Sequence, residues 1–471
     1  MDFLSRRTWL RNSACGFGAL VAQVLAAQNG GSASRATQRR AHHTPRAQRI
    51  IFLFMQGGPS QVDTFDFKPL LVARDGEQMA FDDSRAIANT GQRGTMQRVL
   101  QSPWSFRQYG DSGRWVSELF PLTARHVDDL CFLHGMQTEG VAHGPATLFL
   151  HCGSTNQVRP SFGSWVTYGL GTENENLPAF VTLAPSAGNG GPRNYSAAFL
   201  PTRYQGTALG RAGSPASQAS VRNLGPHDGN LPRQRRQLEL IQTLNAEQLA
   251  VAPRESAFDA LIESYELAWR MQTQVPDVLN LARETQATRT AYGLDKPETE
   301  QFGRLCLMAR RLCEAGTRFI QVTYGDNTAN PAWDQHSNLP KHADHARACD
   351  QPIAALLADL GQRGLLADTL VWWGGEFGRT PYAEKNGKGR DHNPQGFTSW
   401  LAGGGVKPGF AFGATDEFGH KAVEGKVQMH DLHATLLDLL GLDHEQLTYR
   451  HAGREFRLTD VHGRVIDEIL A

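Results

Sequence analysis

Histidine is the residue type with most chemistry to offer here, and nine of the seventeen histidines fall between His336 and His451. The first cluster is Trp333-Asp334-Gln335-His336, with an acid and an imidazole two residues apart, a spacing that puts both on one face of an extended segment. At the mouth of a strand such a pair can point at one cation; hydrogen-bonded loop residues are the alternative. In Trp372-Trp373-Gly374-Gly375-Glu376-Phe377-Gly378-Arg379 an apolar strand runs into paired glycines and a carboxylate. Glu376 is thus expected at the strand end, where the backbone is free to bend around a ligand. Arg379 either ion-pairs with Glu376 or neutralises an anionic group of a substrate. Gly389-Arg390-Asp391-His392-Asn393-Pro394 reads as a tight polar turn, with His392 as a ligand or a surface imidazole. His143, in Val141-Ala142-His143-Gly144-Pro145, is expected to start a helix, where backbone N–H groups can hold an anion.

Imidazoles combined with Asp and Glu form a mixed nitrogen and oxygen donor set. Such a set suits zinc or manganese better than calcium, which prefers oxygen alone. A metal of this kind lowers the pKa of water or polarises a phosphoryl or sulfuryl oxygen. His430 and His433 sit at i and i+3 of a helix and could share a face for a metal, but they read first as packing or surface residues, with Asp431 as the cap that starts the helix.

The elements that must position these groups are also legible. Arg49-Ile50-Ile51-Phe52-Leu53-Phe54-Met55 is a largely apolar run that stops at Gln56-Gly57-Gly58, as a buried parallel strand does when it enters a functional loop. Further strands are expected at 130–133, 179–183, 319–323 and 369–373, and helices at 161–169, 340–361 and 429–440. Their alternation predicts an α/β protein whose mostly parallel sheet is covered on both faces. A charged, amide-rich block at 232–292 is expected to add two or more helices, shaping substrate access or forming an interaction surface. The 48 glycines exceed ordinary usage of about 7% without a repeat, and they cluster where strands are expected to end.

Forty-seven basic against 47 acidic residues give no surplus for phosphate contacts, so a nucleic-acid-binding protein is excluded. Ser5-Arg6-Arg7-Thr8-Trp9-Leu10 and the mildly apolar run after it read as a twin-arginine export signal over residues 1–30, followed by a polar linker at 31–48 and one domain at 49–471. The expected location is periplasmic or extracellular, with no membrane span after signal removal. Cys131, Cys152, Cys306, Cys313 and Cys349 have no CxxC spacing and read as buried thiols rather than a disulfide framework.

The stretches IIFLFMQGGPSQVDTFDFKP, AHGPATLFLHCGS, RPSFGSWVTYGLGTENENLPAFVTL, DQHSNLPKHADHARACDQPIAALLADL, GEFGRTP, GRDHNPQGF and MHDLHATLLDLLGL resemble the domain of unknown function 1501 family of exported bacterial proteins. That family is similar to the alkaline phosphatase and sulfatase superfamily. The resemblance implies a three-layer α/β/α sandwich with a metal site at the carboxyl edge of the sheet. It further implies that Asp334, His336, Glu376 and His392 are metal ligands, with Glu376 replacing the usual aspartate. Phe377 falls where many members carry a further ligand, and Met55-Gln56-Gly57-Gly58 stands where sulfatases carry paired aspartates, leaving Asp63 as the nearest acid. His143 occupies the position of the sulfatase cysteine that becomes formylglycine. Sulfatase chemistry of the ordinary kind is then excluded, and His143 is a nucleophile, a general base or an extra ligand. Two functions follow as expectations. One is an exported metal-dependent hydrolase acting on a phosphate or sulfate ester, with His143 and Arg379 at the reacting group and an anionic small molecule or polysaccharide ester as substrate. The other is a non-catalytic protein that binds an anionic polysaccharide or docks with a partner.

Overall fold

The computed structural model describes residues 41–81, 96–220, 230–251, 256–328, 331–384 and 387–471. The twin-arginine segment lies outside the described residues. Strand β1 (Arg49–Met55) is apolar at both parities because both of its faces are covered: Ile50, Phe52 and Phe54 enter one core, and Ile51, Leu53 and Met55 the other. The other strands that build the main sheet or the site are β2 (Leu130–Gln137), β3 (Phe180–Leu183), β4 (Thr207–Leu209), β5 (Phe319–Tyr324), β6 (Thr369–Gly374), β7 (Gly378–Ala383), β8 (Arg390–Asn393), β9 (Phe397–Ala402), β10 (Phe410–Phe412) and β11 (Val427–Gln428).

The main sheet runs β10-β2-β9-β6-β1-β5-β3-β4, with β11 pairing beside β10 on the edge of β2. β1 is parallel to β5 and β6, and only β9 runs antiparallel to its neighbours. The carboxyl ends of β6, β1 and β5 therefore lie side by side at one edge, and that of β2 lies at the same edge.

Helices α1 (His143–Cys152), α2 (Phe162–Leu170) and α7 (Met429–Leu439) cover one face of the sheet. α5 (Pro297–Glu314) and α6 (Lys341–Gln362) cover the other. The result is a three-layer α/β/α sandwich, as the alternation of elements predicts. Helices α3 (Leu231–Val251) and α4 (Ser256–Leu279) lie in sequence between β4 and α5. Met271 and Val275 of α4 pack on Leu177, just before the start of β3. This docks α4 at the amino edge of the sheet, opposite the site, so its packing does not shape access to the carboxyl edge.

The start of α7 differs from the expectation. Gln428 is the N-cap, and Asp431, three residues on, reaches back to the Gln428 N–H in a capping box. His430 and His433 face the protein, with each Nε2 at a backbone carbonyl, of Gly153 and Leu150. The five cysteines among the described residues, Cys131, Cys152, Cys306, Cys313 and Cys349, are buried and free.

Candidate functional site

The site is built where β1, β5 and β6 end. After β1 the chain turns through Gly57 (φ +109°) and Gly58 (φ +73°), conformations that L side chains rarely adopt. A Cβ on Gly57 would sit 2.7 Å from the backbone nitrogen of Asp334, and one on Gly58 2.7 Å from the Phe377 ring. The two glycines let the loops after β5 and β6 close onto the end of β1.

Asp334 and His336 come from the loop after β5, Glu376 follows β6, and His143 is the first residue of α1. His392 lies on β8, which pairs antiparallel with β7 so that His392 is opposite Arg379. The segment around His392 is thus a buried strand rather than a turn, and His392 is not a surface imidazole.

Three imidazoles converge on one carboxylate oxygen. Oδ1 of Asp334 lies 2.9 Å from Nε2 of His336, 3.2 Å from Nε2 of His143 and 3.4 Å from Nε2 of His392. The two outer rings also meet, with Nε2 of His336 3.0 Å from Nε2 of His392. Each imidazole has its other nitrogen against an acceptor. Nδ1 of His143 is 2.7 Å from Glu376, Nδ1 of His336 is 2.9 Å from Glu384, and Nδ1 of His392 is 2.9 Å from the carbonyl of Val141. A carbonyl or ionised carboxylate only accepts, so the Nδ1 atoms carry the protons and the Nε2 atoms face inward.

The electrostatics follow from burial and partners. Burial raises the carboxyl of Asp334, but the Arg379 guanidinium and the three imidazoles overcome it and hold Asp334 well below the usual carboxylate range. Burial works against a charged His336, yet hydrogen bonds to Asp334 and Glu384 raise it to about 9. Burial lowers His392 to about 4 despite its bond to Asp334, with the positive neighbours Arg379, His143 and His336 adding to the effect. His143 is raised: burial opposes the charge, and Asp334 and Glu376 outweigh it. The side chain of His336 remains one-third exposed, and those of His143, Asp334 and His392 are 10% exposed or less, so the cluster opens to solvent on the His336 side.

Three residues expected at the site take other roles. Glu376 is fully buried, and its oxygens accept from the Gly57 N–H at 3.0 and 3.1 Å and from His143. It orients His143 and stands behind the cluster. Arg379 does not pair with Glu376. Its guanidinium is completely buried, binding Asp334 at 2.7 Å, the Gly58 carbonyl at 2.9 Å, the Arg390 carbonyl at 3.2 Å and the Gly57 carbonyl. No part of it is exposed to solvent. Asp63 binds Arg390 through both oxygens, at 2.7 and 3.1 Å, and lies outside the cluster. The resemblance leaves Asp63 as the nearest acid for a metal, but the buried Arg390 needs a counter-charge and takes it.

Glu384 and Asp391 escaped sequence reasoning. Asp391 stands 3.7 Å from Nδ1 of His336 and accepts from the His392 N–H at 2.7 Å. The available signal was the acid directly before His392.

A mostly parallel α/β/α sandwich with an imidazole and carboxylate cluster at its carboxyl edge is the class that fold and site define. Within it, the chain belongs to the family described as protein of unknown function (DUF1501), whose pattern matches residues 47–470. No curated protein matches the chain. Solved structures similar to it include the lipoteichoic acid synthase LtaP from Listeria monocytogenes, at 9% identity and a TM-score of 0.37, covering 93% of this chain and 80% of that one. A protein in the alkaline phosphatase superfamily from Vibrio parahaemolyticus has 9% identity and a TM-score of 0.36, covering 90% and 75%. The sulfatase PsFucS1 from Pseudoalteromonas sp. has 12% identity and a TM-score of 0.36, covering 85% and 69%. At these identities and scores the reading of function rests on the site.

Proposed function

We propose that this chain is an exported, metal-dependent hydrolase of a phosphate or sulfate ester, with a divalent ion held by His143, Asp334, His336 and His392. The supporting observation is the inward convergence of three Nε2 atoms on one carboxylate oxygen while every Nδ1 is held from behind, as metal-ligating histidines are.

The donor set suits such an ion. Among the described residues, the buried Nε2 of His143 meets only Asp334 Oδ1, at 3.2 Å and without a well-directed hydrogen bond. The neutral forms of His336 and His392 would face each other lone pair to lone pair at 3.0 Å, an arrangement that a shared cation relieves. The spacings of 2.9 to 3.4 Å from Asp334 Oδ1 to the three Nε2 atoms are near the ~3.3 Å edge of a tetrahedron of donors about 2.0–2.1 Å from zinc. Three nitrogens and one oxygen favour zinc or manganese over calcium.

Such an ion supplies Lewis-acid polarisation of the ester oxygen and a lowered pKa for water. The chain's own residues fix the frame. Glu376 and Gly57 hold the ring of His143, Glu384 holds His336, and Val141 holds His392. Arg379 neutralises part of the charge on Asp334 from the protein side, leaving the exposed side of His336 for an incoming ester. Export is supported by the Arg6-Arg7 segment, and His143 in the formylglycine position points away from ordinary sulfatase chemistry.

Arg379 also favours a second reading, non-catalytic binding, because a buried guanidinium 2.7 Å from Asp334 can hold the cluster together without an ion. Elemental analysis of the purified mature protein separates the two. The hydrolase reading expects close to one equivalent of zinc or manganese, lost in His336→Ala; less than about half an equivalent, unchanged by that substitution, would end it.

A further inference from the structure

Beside the cluster lies a second concavity of about 440 Å³, within the range of small-molecule sites. Its walls continue the two segments that carry His143 and His392: residues 137–139 at the end of β2, and 394–395 just past β8. The walls are tied together, since the Thr138 N–H donates to the Pro394 carbonyl at 2.9 Å and Gln137 Nε2 to the Gln395 carbonyl at 3.1 Å. Gln428 closes the floor by donating to Gln137 Oε1 at 3.0 Å.

The chemistry of the lining differs from that of the cluster. It presents Thr138, Glu139, Gln395, Gln428, Asp431 and His462, and no lysine or arginine. An anion has no counter-charge there, and the helix α7 that starts at this wall already has its first turn capped by Gln428 and Asp431. Asp431 is itself occupied, accepting from the backbone of Gln428 and of Arg464, both at 2.9 Å. Amides, a hydroxyl and imidazoles around a polar concavity suit hydroxyl groups. Thr138 agrees with this: the residue lines the cavity, and its buried hydroxyl has no hydrogen-bond partner among the described residues. An unpaired buried hydroxyl is unfavourable unless a ligand or water satisfies it.

We propose that this cavity is the subsite for an uncharged, hydroxyl-rich group, the alcohol portion of the ester whose anionic portion meets the cluster. In naming that substrate class the proposal rests on the hydrolase reading. The subsite itself stands on its own lining, so binding tests it apart from turnover.

The experiment is saturation-transfer NMR on the full mature protein with three neutral probes, myo-inositol, methyl glucoside and lactose, alongside ethanolamine and inorganic sulfate. At least one neutral probe is expected to bind, to weaken about three- to tenfold in Thr138→Val and in His462→Ala, and to bind His336→Ala as it binds the parent. Thr138→Val is nearly isosteric and His462 is exposed, so folding is preserved in both, and unchanged thermal unfolding checks it. No response from any neutral probe, a response indifferent to both substitutions, or ethanolamine or sulfate displacing the neutral probe would overturn the subsite. Neutral-probe binding without turnover of any ester would instead remove the hydrolase reading and leave the subsite standing.

Discussion

Nδ1 of His143 lies 2.7 Å from Oε1 of Glu376, a contact that closes 233 residues of chain and joins the start of α1 to the end of β6. The same carboxylate accepts from the Gly57 N–H at the end of β1. Glu376 thereby fixes the ring orientation and tautomer of the histidine that faces Asp334, so its substitution acts through His143. Glu376→Gln keeps the shape and one acceptor but removes the charge. Metal affinity is expected to fall about 10- to 100-fold, as it does when such a supporting partner is lost, with thermal unfolding little changed. Competition with a chelator of known zinc affinity measures this, and unchanged affinity would show that Glu376 does not act through the ion.

Arg379 is expected to be a stability residue. Its guanidinium is fully buried and holds Asp334 together with three backbone carbonyls. Removing one partner of a buried pair leaves the other uncompensated, at a cost of about 3–5 kcal/mol. Arg379→Met should lose stability in that range in denaturant titration. Arg379→Lys should recover little, because an ammonium cannot reproduce the fork that meets several acceptors at once. A loss under 1 kcal/mol for the methionine variant would contradict this.

Asp63 provides a parallel test with opposite consequences for metal. It grips Arg390 through both carboxylate oxygens, and both side chains are fully buried. Asp63→Asn is expected to destabilise the fold by about 3–5 kcal/mol and leave the metal content per folded molecule unchanged. Loss of the ion at intact stability would restore Asp63 as a ligand.

What was legible in the sequence, and what was not, separates along physical lines. β1, β5 and β6 announce themselves because a central strand covered on both faces must be apolar at every position, and a glycine pair after β1 has to clear the incoming loop. His143 is legible as a helix start. The β7–β8 hairpin is not: Gly-Arg-Thr-Pro-Tyr-Ala and Arg-Asp-His-Asn look exposed, yet every residue in both strands is buried. They are buried because Arg379 and Arg390 spend their donors on carbonyls and on Asp334 and Asp63, a cancellation that only the third dimension supplies. For the same reason Arg379 read as a substrate contact and Glu376 as a ligand. Their types and spacing fit those roles, but the acid that pairs with Arg379 comes from a loop 45 residues away, and the partners of Glu376 come from more than 200.

Acid should destabilise the fold through two buried histidines outside the cluster. His433 and His151 lie among aromatic rings in the core beneath α1 and α7. Burial lowers His433 to about 3, helped by the nearby imidazoles, and lowers His151 to about 4 against its hydrogen bond to the Thr147 carbonyl. Both are neutral in the folded state and take up a proton on unfolding below about pH 6.5. The unfolded chain then binds more protons than the folded one, so stability rises with pH across this interval. Their contribution is complete above about pH 6.5 and is lost as pH falls from there toward 4 and 3. Each tenfold difference in proton affinity is worth about 1.4 kcal/mol, so the two together amount to several kcal/mol. Denaturant titrations between pH 4 and 7.5 should show this slope. His433→Gln keeps a donor for the Leu150 carbonyl, which Nε2 of His433 meets at 2.8 Å, without a group that titrates, and should flatten the slope. An identical slope in that variant would place the acid sensitivity elsewhere in the chain.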